Sequence, residues 1–153
     1  MKTKVIALAA AAALVAPAAL AQDDFAAQLK ARQGQFRIMA LNIGVLGGMA
    51  QGKIEYDAEA AQTAADSLVA ISGVDQGKLW PEGTDEVMLE GTRAKVAIWE
   101  NFDDFASKWA AYGEQAAAMQ AVAGDGLEAV GPAVQELGGT CKACHDDYRA
   151  PDE

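Results

Sequence analysis

Apolar side chains recur along this chain at alternating steps of four and three residues, and this spacing constrains the fold more than any other feature. From about Asp24 to Gly52 the stripe is unbroken, and it comprises Phe25, Leu29, Arg32, Phe36, Met39, Ile43, Leu46 and Ala50. Such steps place side chains on the face of an α-helix that packs against other helices. No stretch alternates apolar and polar residues in the way that a strand requires.

Three further segments carry the same helical pattern. They run from about Asp57 to Ser72, from about Thr92 to Ala123, and from near Asp125 toward the carboxyl terminus. Pro132 falls in or near the first turn of the last segment, or kinks it. The stretch from Gly73 to Thr92 is rich in glycine and predicts a long loop. Together these segments predict an all-α fold, an antiparallel four-helix bundle with up-down-up-down topology.

The last helical segment contains the sequence Cys141-Lys142-Ala143-Cys144-His145. Cys-x-x-Cys-His is the spacing by which c-type haem is held covalently. On a helix the two thiols lie one turn apart on one face, and His145 lies four residues after Cys141, so all three converge on one planar ligand. The motif predicts one haem c, with Cys141 and Cys144 bonded to its vinyl groups and His145 as axial iron ligand. Both cysteines fall in the apolar stripe, which predicts that the haem lies inside the bundle.

Other uses of these residues must be weighed. A structural zinc site needs four ligands, and the chain has two cysteines and one histidine, so a carboxylate would have to complete the set. A thioredoxin-like pair of cysteines requires a βαβ setting, and a structural disulfide rarely spans so short a loop. These uses stay open as alternatives, and haem attachment is the interpretation that we favour.

The amino terminus has the layout of a secretory signal peptide. Two lysines precede an apolar run from Val5 to Val15, and the small-residue site Ala19-Leu20-Ala21 follows, which predicts cleavage before Gln22. The run is too short to span a bilayer comfortably, and no later stretch approaches the roughly 20 apolar residues of a membrane helix. We therefore expect residues 1–21 to be removed and residues 22–153 to form one four-helix-bundle domain, without membrane insertion. Covalent haem assembly and export together predict the periplasm.

The charge balance limits the classes of partner. The chain has 12 basic and 22 acidic residues and a net charge of −10. Such a surface repels nucleic acid and anionic membranes. It favours a basic protein partner, or it serves only solubility. Nucleic-acid binding is therefore not expected.

Several stretches resemble the cytochrome c' family, whose haem is attached near the carboxyl terminus. The segment from Gly138 to Arg149 is similar to its haem-binding stretch. So are four shorter segments: Ala31-Arg32-Gln33, Tyr56-Asp57-Ala58, Leu79-Trp80-Pro81 and Lys95-Val96-Ala97-Ile98-Trp99. The resemblance covers essentially the whole chain after the signal peptide. It implies a four-helix bundle, a homodimer formed through the first two helices, and binding of nitric oxide or carbon monoxide alongside electron transfer.

The resemblance also directs attention to the face of the iron opposite His145. Low-spin relatives place a methionine on the first helix as sixth ligand, and the matching position here is Phe36. A phenyl ring cannot bind iron, so Phe36 in the distal pocket implies a five-coordinate site for small gases. Met39 shares the face of Phe36 and is the rival sixth ligand. It defines the alternative function, a six-coordinate low-spin electron carrier.

Further site residues follow from the same resemblance. Arg32 is a guanidinium in an apolar stripe, and a haem propionate would supply the anion that it needs, with Gln33 beside it. The alternative is an arginine at the rim whose head reaches water. Thr92 and Arg93 fall where the family has a polar residue near a propionate. Arg149 matches a basic residue close to the proximal histidine, in its second shell.

Three expectations about function complete the sequence-based picture. No enzyme activity is expected, because the only histidine is already used by the haem motif and no acid–base pocket is recognisable. Gly44 and Gly48 would let a second copy of the first helix approach closely, although they could equally serve packing inside the bundle. The redox partner protein stays unidentified.

Overall fold

The structure, a computed structural model, describes residues 25–151, and within them all regular structure is helical. The helices are α1 (Ala26–Ala50), α2 (Ala58–Ser72), α3 (Ala97–Glu100), α4 (Phe102–Val122) and α5 (Leu127–Tyr148). Helix α1 packs against α2 and α5, and α4 packs against the same two helices, so the four long helices close into a bundle. This confirms the predicted fold class. The predicted signal peptide, residues 1–21, lies outside the described residues.

Local chemistry explains where the helices begin and how two connections at one end of the bundle are joined. The carboxylate of Asp57 accepts a hydrogen bond of 2.7 Å from the backbone N–H of Ala60, which caps the first turn of α2. Gly126 has φ +104 immediately before α5, a conformation that favours glycine. The Tyr56 hydroxyl donates to the carbonyl of Ala123 at 2.8 Å and accepts from the Gly126 N–H at 3.0 Å. It thereby joins the α1–α2 connection to the turn between α4 and α5.

The third helix was predicted from Thr92 to Ala123, and the prediction is wrong about where this helix begins. Helix begins only at Ala97, and Asn101, with φ −143 and ψ 62, separates α3 from α4. The backbone before α3 bonds elsewhere: Ala94 pairs with Arg149 in an antiparallel bridge, and the Lys95 N–H donates to the Tyr148 carbonyl at 3.1 Å. Because these groups are already bonded to the end of α5, they are not available to a helix. The bridge places the loop before α3 beside the cysteine motif.

Pro132 lies inside α5 rather than at its start, and the helix continues through it. The missing N–H would have donated to the carbonyl of Glu128, so one early bond of the helix is absent. The local helix is held instead by packing, because Val130 is fully buried against the other helices. The prediction allowed for a proline in the first turn or at a kink, and the structure places it in the second turn.

The interior divides into two clusters of different character. The larger holds mainly aliphatic side chains from all four long helices, with Leu46, Met49, Leu68, Met119, Val130 and Leu137 nearly or fully buried. The smaller is aromatic and lies beside the cysteine motif, with Trp80, Phe105 and Tyr148 at its centre. Rings in this cluster meet mostly edge to face, as at 4.8 Å between Trp80 and Phe105. None of the helices within residues 25–151 is both long and apolar enough to cross a membrane.

Candidate functional site

A cavity of about 670 Å³ lies where the two clusters meet, enclosed by α1, α4, α5 and the loop before α3. Its volume is in the range of cofactor-binding cavities. Every residue that the sequence analysis singled out for the site lines this one cavity: Arg32, Gln33, Phe36, Met39, Thr92, Arg93, Cys141, Cys144, His145 and Arg149. The structure therefore brings together groups from three separate parts of the chain.

The cysteine motif forms one wall of the cavity. Cys141 and Cys144 are partly buried, and burial raises the pKa of both thiols, to about 11 for Cys144. Burial also lowers the pKa of His145, and the positive charges of Arg149 and Arg93 lower it further, outweighing Asp146. At neutral pH the wall therefore presents two protonated thiols and a neutral imidazole. A neutral imidazole carries the lone pair that binds a metal.

The alternative uses of the motif gain no support from its surroundings. Within residues 25–151 no three His, Cys, Asp or Glu side chains are grouped so that they could hold a metal ion. A zinc site of the usual four ligands therefore lacks its partners. The motif lies in the last turns of α5, which is not the βαβ setting of a thioredoxin-like dithiol.

Another part of the lining is apolar and is built around Phe36 of α1. Its ring contacts two indoles, with ring centroids 6.4 Å from Trp80 and 6.2 Å from Trp109. Phe36 packs against both the aliphatic and the aromatic cluster. Met39, one turn further along α1, also lines the cavity but is only 7% exposed and belongs to the aliphatic cluster.

Arg32 is a buried cation with neutral hydrogen-bond partners. Only 2% of the residue is exposed, and its guanidinium donates to the hydroxyl and the carbonyl of Thr84 at 2.9 and 3.1 Å. Its Cζ lies 4.5 Å from the centroid of Trp80, a cation–π contact. Burial lowers the pKa of Arg32 to about 10. The alternative of an arginine at the rim reaching water is therefore wrong.

A guanidinium has five N–H donors, and the two bonds of Arg32 to Thr84 leave others for the cavity that it lines. A buried charge is stable only when an opposite charge compensates it. This end of the cavity therefore suits an anionic group. Nothing in the sequence marks Thr84 as the partner of Arg32, because a single threonine in a glycine-rich loop carries no recognisable pattern.

The polar residues next to Arg32 are held by the loop before α3. The side-chain amide of Gln33 donates to the Gly91 carbonyl at 2.8 Å, and the Thr92 hydroxyl accepts from the Ala94 N–H at 3.2 Å. The Arg93 carbonyl accepts from the Ala150 N–H at 2.9 Å. These bonds fix Gln33, Thr92 and Arg93 on one rim of the cavity.

Arg149 lies beside His145 at the end of α5. Its Nη1 is 3.3 Å from Nδ1 of the imidazole. A guanidinium can only donate, so a hydrogen bond in this contact requires Nδ1 to accept and the proton of the neutral ring to be on Nε2. This tautomer differs from the one needed for a metal bond through Nε2.

Comparison with known proteins identifies the family to which the chain belongs. A family model described as cytochrome C' matches residues 27–149. The chain belongs to the cytochrome c' family. Members of this family carry one covalently bound haem c, and the chain supplies the two cysteines that this bond requires.

Individual relatives agree with this assignment over most of the chain. The cytochrome c' of Cereibacter sphaeroides is 42% identical over 133 residues, which are 87% of this chain and 89% of the relative. A cytochrome c-554 of the same organism is 43% identical over 148 residues, covering 95% of this chain and 97% of the relative. The family thus includes proteins under both names that are about equally similar to this one.

Solved structures of the family share the fold. A cytochrome c' from Rhodobacter Spheriodes superposes with a TM-score of 0.82 at 41% identity, covering 84% of this chain and 99% of that chain. A nitric oxide complex of a mutant cytochrome c prime from Alcaligenes xylosoxidans gives a TM-score of 0.70 at 28% identity, covering 82% and 94%.

The residues that line the cavity fit haem c. Two thiols and an imidazole line the cavity together with aromatic and apolar side chains, and the buried cation of Arg32 would suit the carboxylate of a propionate. The sequence analysis missed Trp109 and Tyr112 as lining residues. Both fall in the third helical segment, and spacing shows that a residue faces the interior but not whether it faces a core or a cavity.

Proposed function

We propose that this protein is a periplasmic cytochrome c' that binds nitric oxide and carbon monoxide at a five-coordinate haem iron and also exchanges electrons. The observation that carries the proposal is the composition of the cavity: it is lined by a single imidazole, that of His145, and by the phenyl ring of Phe36 among other apolar groups. The haem supplies the iron that accepts either the gas or the electron. A phenyl ring offers no lone pair to iron, so this part of the lining leaves the sixth position to a small ligand.

Cys141, Cys144 and His145 hold the haem in this proposal. Each thiol would add across one vinyl group of the haem, so that sulfur bonds one carbon and the proton goes to the other, and no oxidant would be needed. His145 is the proximal ligand. The support is that all three side chains lie on one wall of a single cavity and that the imidazole is neutral there.

Arg32 binds a haem propionate, with Gln33, Thr92 and Arg93 on the same rim. The support is the buried charge of Arg32, whose hydrogen-bond acceptors are both on neutral Thr84. A carboxylate at this end would accept charge-assisted bonds from the remaining guanidinium N–H groups. Gln33 and Thr92 are held by the loop, so they order the rim at which the propionate lies.

Arg149 acts on the proximal side, in the second shell of His145. If Nε2 were bound to iron, Nδ1 would carry the ring proton and could not accept from a guanidinium. The 3.3 Å contact between Arg149 and Nδ1 would then have to rearrange. This role rests on the position of Arg149 four residues after His145, on the same helical face.

The apolar wall selects the ligand. The rings of Phe36, Trp80 and Trp109 offer no charge and exclude water, so small uncharged molecules enter more easily than anions. The nitric oxide complex among the solved relatives supports a gas as ligand. We assign no catalytic residue and no enzyme activity, because the cavity contains one imidazole, which the iron would occupy, and no acid–base pair.

We place the mature domain, residues 22–153, in the periplasm. The signal-peptide pattern of residues 1–21 and the haem motif both point to the exported side of the membrane. The amino-terminal residue of protein released by osmotic shock tests this, and it should be Gln22. Retention of the protein in the cytoplasm with residues 1–21 still attached would contradict it.

A homodimer through α1 is the assembly that we propose. Leu41 is 73% exposed and Ile38 is 45% exposed on one face of α1, whereas Gly44 lines the cavity. Gly48, in contrast, is filled by the Ile54 side chain of the same chain and serves internal packing. Replacing Leu41 with Glu should therefore convert the dimer to monomer in sedimentation at micromolar concentration. Replacing the exposed Val87 with Glu is the control and should leave the dimer intact; equal masses for both variants and the parent would contradict the proposed face.

The alternative, a six-coordinate electron carrier with Met39 as sixth ligand, is distinguished by replacing Met39 with Leu. Leucine keeps a similar volume and removes the thioether sulfur. If Phe36 covers an open iron, carbon monoxide affinity of the ferrous variant should stay within about threefold of the parent, because no ligand has been lost. Under the alternative, the parent resists carbon monoxide and the variant binds it, and the carrier function would replace the gas-binding one.

A further inference from the structure

We propose that Trp109 is a positioning residue that controls how easily Phe36 moves aside for an incoming gas molecule. This inference rests on the proposed function, in which Phe36 covers the iron. It concerns Trp80 and Trp109, the two indoles that contact Phe36, which the structure restrains to different degrees.

Trp80 is the more tightly restrained of the two indoles. It is only 8% exposed, and its indole N–H donates to Gln76 at 3.2 Å, while Gln76 is itself hydrogen-bonded to Gln35 of α1. Arg32 lies over its face at 4.5 Å, and the ring of Phe105 meets it at 4.8 Å. Because these contacts come from α1, from α4 and from its own loop, Trp80 cannot shift without breaking several of them.

Trp109 is held by fewer contacts. It is only partly buried, its indole N–H donates to the carbonyl of Ser72 at 3.0 Å, and its ring lies 5.2 Å from that of Tyr112. Ser72 is the last residue of α2, where carbonyls have no partner within the helix. Tyr112 is tied to the same end of α2, since its hydroxyl donates to the Leu68 carbonyl at 2.9 Å. One hydrogen bond to the end of α2 therefore fixes the indole.

The edge-to-face contact transmits this restraint to Phe36. The planes of Phe36 and Trp109 meet at 82° with centroids 6.2 Å apart, so the Phe36 ring abuts the indole. A ring that must make room for a ligand yields toward its less restrained neighbour. Phe36 therefore moves toward Trp109 rather than toward Trp80, and the hydrogen bond to Ser72 sets the resistance that it meets.

The test replaces Trp109 with Phe and measures the rate at which carbon monoxide combines with the ferrous holoprotein after flash photolysis. The smaller ring loses the bond to Ser72, so we expect association to become about tenfold faster. Trp99→Phe is the matched control: Trp99 also donates its indole N–H to a backbone carbonyl, that of Trp80, at 3.0 Å, but it does not line the cavity. Its association rate should stay within about twofold of the parent, although both variants lose one hydrogen bond.

Equal association rates in the two variants would overturn the role of Trp109, because general loosening of the fold would then explain both. A second readout separates this inference from the proposed function. In crystal structures of the holoprotein, the Phe36 ring of the Trp109→Phe variant should be displaced toward residue 109 or occupy two positions. If the parent binds no carbon monoxide, the proposed function fails, and the position of Phe36 in the variant still decides the inference: an unmoved ring would overturn it.

Discussion

Replacing Phe36 with Met should change the haem from five-coordinate and high-spin to six-coordinate and low-spin. The thioether would reach the position that the phenyl ring covers, and methionine with histidine is a common axial pair in cytochromes c. Carbon monoxide affinity should fall at least about hundredfold, because the gas must displace a protein ligand. The reduction potential should rise, since a methionine ligand favours the ferrous state. Optical spectra and a carbon monoxide titration measure both effects.

Ile43→Met provides the matched control for this prediction. Ile43 lies on α1 and lines the same cavity, two turns beyond Phe36, so the variant introduces the same thioether at a different place. It should stay high-spin and keep the gas affinity of the parent. If both variants stay high-spin, Phe36 does not cover the iron, and the assignment of the distal wall is contradicted.

Replacing Arg32 with Met should have the second-largest effect, on both stability and redox potential. The change removes two hydrogen bonds from a charged donor to buried Thr84. In the proposed site it also leaves the haem propionate without its cation. We expect the free energy of unfolding of the holoprotein to fall by about 2 to 3 kcal/mol. The reduction potential should fall by some tens of millivolts, because a nearby positive charge favours the electron. Denaturant unfolding measures the change in the free energy of unfolding, and potentiometric titration measures the change in the reduction potential.

Arg37→Met separates these effects from a simple loss of charge. Arg37 lies on the same helix and also lines the cavity, but it is exposed. Its removal should change the free energy of unfolding by no more than about 0.5 kcal/mol. If the two variants behave alike, Arg32 does not compensate a buried carboxylate, and its place at the propionate end is contradicted.

The sequence predicted the bundle well because four-and-three spacing follows directly from helix geometry. The limits of α2 were predicted closely, since Asp57 is a recognisable cap. The start of the third helix was not predicted correctly, because the bridge between Ala94 and Arg149 joins residues that are far apart in the chain. A backbone bond of that kind overrides local helical preference and leaves no periodic signal.

The sequence identified residues that line the cavity, but it did not identify the contacts that hold them in place. Motif spacing identified Cys141, Cys144 and His145, and resemblance to the family added Arg32 and Phe36, all of which line one cavity. The partners that hold these residues could not be predicted. Thr84 under Arg32 and Trp109 beside Phe36 depend on tertiary packing, which no spacing along the chain encodes.

The optical spectrum of the mature ferrous protein, recorded before and after addition of carbon monoxide, tests the central claim most directly. We predict a high-spin haem spectrum that shifts on adding the gas, because Phe36 leaves the sixth position without a protein ligand. A sharp low-spin spectrum that does not respond to carbon monoxide would contradict the claim and show that Met39 or another side chain binds the iron.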